Sequence, residues 1–98
     1  MNVIKMNGNK VELRTDKGSI IRTITDKAVS ANLNSTGDLV VVTKMDGKVE
    51  LRKDSGSIIR TIADKATDAK FNGTDIIVTK ENGKMELRKE SGSLIRTM

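Results

Sequence analysis

The sequence predicts an all-β repeat protein, and three observations carry that expectation. A stretch beginning "KVELR" at Lys10 and running to "IIRTITDKA" returns from Lys48 and again, shortened, from Lys84. The copies start 38 and then 36 residues apart, a spacing typical of repeat architectures. Inside each copy apolar and polar residues alternate with period two, the pattern of a half-buried strand. Glycine-containing turns separate these runs, and no stripe of helical period survives them.

Taken in order, residues 3–6 form a short strand that ends at Asn7-Gly8. Asn-Gly between two strands signals a hairpin, because both residues tolerate positive φ. The extra Asn9 predicts a longer or bulged loop here. Lys10–Arg14, "KVELR", places Val11 and Leu13 on one face and the charged residues on the other. After Asp16-Lys17-Gly18, the β-branched run 19–24 pairs back as the next strand. Residues 25–30, "TDKAVS", read as a polar connection, 31–34 as a short strand, and 35–38 as a turn. Residues 38–44, "DLVVVTK", are apolar without alternation, the mark of a strand covered on both faces. The second copy repeats this plan with a tight Asp46-Gly47 turn, strands at 48–53 and 57–62, a connection at 63–67, and strands at 68–72 and 76–80. The third has its Asn82-Gly83 turn and strands at 84–89 and 93–98.

Eleven strands result: an inner, second, third and outer strand in each unit, with the first unit lacking its inner one. The chain reads as one domain of repeats covering about 1–27, 28–65 and 66–98. With 36% hydrophobic residues and Phe71 as the single aromatic, the core must be aliphatic. A small domain of this kind buries a limited share of its surface, which favours association.

The blade-like order of strands and turns, clearest in "DAKFNGTDIIVTKENGKMELRKESGSLIRT", resembles the WD-repeat β-propellers over nearly the whole chain. Arg14-Thr15, Arg52-Lys53 and Arg88-Lys89 stand where that family carries Trp-Asp, and Asp26-Lys27 and Asp64-Lys65 where it carries Gly-His. The family's hydrogen-bonded tetrad is therefore not carried over. The resemblance implies a β-propeller-like fold with about three four-stranded blades per chain. Propellers close with about four to eight blades, so three blades require homo-oligomerisation: a homodimer with six blades, ahead of a nine-bladed trimer. The rival is a β-trefoil, which also has three four-stranded repeats but needs twelve strands and a bulkier centre.

Composition narrows the chemistry. The chain has no cysteine and no histidine, which removes disulfides, the usual zinc ligands and the usual general base. No metal, cofactor or catalytic residue is expected. Glu12, Glu50 and Glu86 recur at equivalent positions beside basic residues, an arrangement that favours ion pairs along the strands over paired catalytic carboxylates. Asp64, Asp68 and Asp75 lack the spacing of a calcium loop. The "MDGK" and "ENGK" turns match no phosphate-binding fingerprint.

Net charge is +5 and the isoelectric point about 9.7. The cations are interleaved with acids, which favours a solvated surface over a nucleic-acid site. The expected function is a non-enzymatic, self-assembling structural or binding scaffold; the alternative is a basic protein that holds nucleic acid or another polyanion. A protein or small ligand would meet the face built from turns and connections, at Asp46, Lys48, Asp64, Lys65, Asn82 and Lys84. The polyanion alternative would use a rim of Arg22, Arg60 and Arg96. With no apolar run long enough for a leader or membrane span, the expectation is a cytoplasmic protein without membrane contact.

Overall fold

Eleven strands and no helix build the described part of the chain, residues 2–98 of a computed structural model. Strands β1 (Val3–Asn7), β2 (Lys10–Arg14) and β3 (Ile20–Thr25) form a three-stranded antiparallel first sheet. The middle sheet has four strands: β4 (Ala28–Leu33), β5 (Leu39–Lys44), β6 (Val49–Lys53) and β7 (Ile58–Ala63). The last sheet contains β8 (Ala66–Asn72), β9 (Asp75–Lys80), β10 (Met85–Arg88) and β11 (Leu94–Thr97). Each sheet pairs strands in chain order, and no described strand pairs with a strand of another sheet. A trefoil barrel needs such pairing between repeats, so the arrangement excludes that rival.

The sheets stack face to face around two cores. Val11, Leu13 and Ile24 of the first sheet meet Ala28, Val40 and Val42 of the middle one. On the opposite side, Val41, Val49, Leu51 and Ile62 of the middle sheet meet Ala66, Ala69, Ile76 and Val78 of the last. Successive side chains on a strand point to opposite faces, so β5 divides its valines between the two cores. This is why its apolar run lacks alternation, as the sequence predicts. Thr43, at the end of that run, is fully buried and its hydroxyl has no partner.

The turns between the second and third strands of a unit reverse the sequence expectation. In the first sheet Asn7 pairs directly with Lys10, leaving only Gly8 and Asn9 to turn the chain, with Gly8 at φ 63. The loop is therefore short, because Gly8 itself supplies the left-handed backbone that a two-residue hairpin requires. In the middle sheet Lys44 N–H donates to the Lys48 carbonyl and Gly47 N–H to the Lys44 carbonyl. Three residues sit in that loop instead of a tight Asp46-Gly47 pair, with Gly47 at φ 90.

The connections between sheets are also shorter than expected. Both inner strands begin early, at Ala28 and Ala66, so only Asp26-Lys27 and Asp64-Lys65 remain as links. The stretches "AVS" and "AT" read as connection because a bulge at Ala28/Ser30 and another at Ala66/Asp68 interrupt their alternation. Lys27 and Lys65 take positive φ, at 52° and 48°. A lysine reaches that region only when its surroundings hold it there.

A candidate binding face built from turns

What holds the two connections also assembles one end of the stack. Ala28 N–H donates to the Asn9 carbonyl, and Met45 N–H donates to the Lys27 carbonyl. One repeat later, Ala66 N–H donates to the Gly47 carbonyl and Glu81 N–H to the Lys65 carbonyl. Each connection is thus stitched between the hairpin turn before it and the one after it. A side chain at Gly47 would lie 3.3 Å from the Lys65 backbone and 3.1 Å from Glu81 Oε2. Glycine is needed there for close approach as well as for φ. The equivalent Gly83 faces open space among the described residues.

The six residues expected at this face all belong to these turns and are exposed. Their roles divide. Asp46 Oδ1 accepts from Lys48 N–H and Asn82 Oδ1 from Lys84 N–H, both at 3.0 Å, so these two side chains shape their own loops. Lys65 sets the left-handed link. Asp64 meets Lys80, whose Nζ donates to the Asp64 carbonyl at 2.5 Å and lies 3.5 Å from Oδ1. The Lys48 and Lys84 side chains project into solvent beside them.

Lys44 and Lys80 escaped the sequence reading, although "VTK" ahead of each turn was available as a repeated signal. Lys44 Nζ donates to Thr25 Oγ1 at 2.9 Å and to the Asp26 carbonyl. Two equivalent clefts result. One, of about 270 Å³, lies among Lys27, Lys44, Met45 and Asp46; the other, of about 210 Å³, lies among Lys65, Lys80, Glu81 and Asn82. Their walls carry ammonium groups, carboxylates, amides and one exposed methionine, which suits docking of a mixed polar surface. No nucleophile in them is paired with a base, and among the described residues no group of three or more acidic side chains could hold a metal ion.

The recurring glutamates form ion pairs two residues along their strands: Glu12 with Arg14 at 2.6 Å, and Glu50 with Arg52 and Glu86 with Arg88 at 2.9 Å. The Arg14 guanidinium, bonded to Glu12, holds that carboxyl below its usual range, with Asn7 adding a second hydrogen bond. Each arginine also donates to the carbonyl of its own following turn, at Gly18, Gly56 and Gly92. Arg52 and Arg88 then reach back across the stack to the carbonyls of Ile24 and Ile62, at 3.5 and 3.4 Å. These residues are bridges between sheets, a role invisible in one repeat.

The basic rim is distributed similarly. Arg22, Arg60 and Arg96 are exposed on the outer strands. Arg22 donates to the Asp54 carbonyl and Arg60 to the Ser91 carbonyl of the next sheet, at 3.3 and 3.4 Å. Arg96 makes no such contact among the described residues. Asp38 belongs to another self-contained turn: hydrogen bonds from Thr36 and Asn34 lower its pKa, and Asn34 Oδ1 caps three successive backbone N–H groups. No helix among the described residues is long and apolar enough to cross a membrane. No protein-family model matches this chain, and neither does any curated protein.

Proposed function

We propose that the protein is a non-enzymatic scaffold, a β-propeller-like module whose stack of three sheets is completed into a ring by a second copy. One observation carries the reading: a single sheet-to-sheet interface occurs twice, and its two halves stand open at the ends of the stack. Val41, Val49 and Leu51 are buried under the last sheet, whereas their equivalents Ile77, Met85 and Leu87 are only half-buried. At the other end Arg14 holds the pose of Arg52 and Arg88, bonded to its glutamate and its turn carbonyl, without a preceding sheet to bridge. Such a contact is head-to-tail, and it closes a ring when the rotation per copy divides a full turn. Two copies would give six blades, within the usual range.

In this reading the turn face with Asp46, Lys48, Asp64, Lys65, Asn82 and Lys84 is the surface offered to a protein or small ligand. The polyanion alternative has less support, since Arg22 and Arg60 already donate to neighbouring turns. Sedimentation across micromolar concentrations tests the proposal. A closed dimer is expected, and a folded species that stays at 10.7 kDa would refute it.

A further inference from the structure

Among the described residues, no strand pairs with the inner edge of β1, the position that β4 and β8 fill in the other two sheets. In the middle sheet that edge is occupied by β4, with Ser30, Ala31, Asn32 and Leu33 opposite Thr43, Val42, Val41 and Val40. Register fixes the equivalents in the first sheet. Met6, Lys5, Ile4 and Val3 pair with Val11, Glu12, Leu13 and Arg14, as Thr43, Val42, Val41 and Val40 pair with Val49, Glu50, Leu51 and Arg52. A groove of about 470 Å³ beside this edge is lined by Val3 and Ile4 of β1, Ala31 and Leu33 of β4, Asn34 just after it, and Asp16.

The floor of the groove has already been matched once in the molecule. Where β4 lies against β8, Ser30 Oγ donates to Asp68 Oδ1 and Asn32 Nδ2 donates to the Ala69 carbonyl, each at 2.8 Å. A strand along β1 would lie against β4 as β4 lies against β8. Its inward asparagine would meet the carbonyl of Ala31, the counterpart of the Ala69 carbonyl, while the Ser30 hydroxyl is already given to Asp68.

We propose that this groove binds an extended peptide that adds to β1 antiparallel and carries an asparagine on its inward side. Backbone pairing along residues 3–6 provides a sequence-independent part of the binding, and alternate side chains provide the selection. The asparagine is the specificity-determining position, because its amide reaches the Ala31 carbonyl. Residues on the outward side contribute little, since nothing among the described residues covers them. The inference needs only the first two sheets and is independent of ring closure.

The test is a titration of the ¹⁵N-labelled chain with a capped peptide of the sequence of residues 28–34, AVSANLN. Saturable amide shifts confined to residues 3–6 and 31–34 are expected. Replacing the peptide's asparagine at the Asn32 position with alanine should weaken binding roughly five-fold, the value of one side-chain hydrogen bond. Replacing the outward alanine and leucine with threonine and lysine should change it less than about two-fold, and a scrambled peptide that moves the asparagine to the outward side should bind about as weakly as the alanine variant. Absence of shifts at millimolar peptide, or equal binding by the alanine variant, would overturn the proposal. Shifts at residues 31–34 that appear when the chain alone is concentrated would also overturn it, because a second copy would then own the groove.

Discussion

Leu51 and Leu87 occupy the same place in consecutive repeats, with the same Glu and Arg neighbours, yet Leu51 is 2% exposed and Leu87 is only half-buried. Val49 and Met85 differ in the same way. The sequence around the two sites is nearly identical, so the difference is positional: the middle sheet has a neighbour on each face and the last sheet has one. Burial in a stack is a property of the neighbours a strand acquires, and identical strands can therefore contribute very different amounts of stability.

The largest expected effect uses that pair directly. Leu51→Ala should cost about 3 kcal/mol, as for a fully buried leucine, and Leu87→Ala about 1 kcal/mol in the dilute chain. Urea unfolding at low concentration measures both. Equal losses in the dilute chain would break the comparison, and a Leu87→Ala penalty that grows with protein concentration would show that its face becomes covered.

A second experiment concerns the opposite end. Lys5 is in register with Val42 and Val78, so the first sheet presents an ammonium where the two internal interfaces present a valine. Lys5→Val should tighten self-association by about ten-fold, near 1.4 kcal/mol, as read by sedimentation. No change would place the contact elsewhere.

Much of this stack was legible in the sequence, because hydrophobic period and turn chemistry are local. The eleven strands, the missing inner strand of the first unit and the two-sided burial of Val40–Val42 all follow from patterns within a few residues. The early start of β4 was not legible, since the bulge at Ala28/Ser30 shifts the alternation and leaves Val29 in solvent. The sheet-bridging roles of Arg52 and Arg88 were hidden for another reason: their partner carbonyls lie 28 and 26 residues away and belong to the backbone, which leaves no trace in residue type. The six turn residues were located by repeat register, but Lys44 and Lys80 anchor the face and look like ordinary surface lysines.

Two smaller effects sharpen the same contrast. Thr43→Val removes a buried hydroxyl that has no partner, and should stabilise the chain by about 1 kcal/mol. Thr79→Val, at the half-exposed equivalent, should change thermal stability by less than about half that amount. The last effect is acid sensitivity. Glu12 has its folded-state pKa lowered by Arg14, and Asp38 by Thr36 and Asn34. Their contribution is full above the ordinary carboxylate range and is lost as pH falls through the lowered folded values. Glu12→Gln should therefore flatten the acid limb of a stability-against-pH curve measured by urea unfolding, leaving a limb due to Asp38.

The recurrence of one interface has a thermodynamic consequence. A single sheet of three or four strands, each four to seven residues long, leaves its apolar faces in water when alone, so each layer depends on coupling to the next. The molecule then behaves as a short one-dimensional chain of units with nearest-neighbour terms. The middle layer takes part in both couplings and each end layer in one, so fraying should start at the ends and loss of the middle should dissolve the whole. A fourth layer would add one intrinsic term and one coupling term without altering any existing contact. For such a molecule the midpoint of unfolding rises with the number of layers and levels off, because the fraction of layers that are ends keeps shrinking.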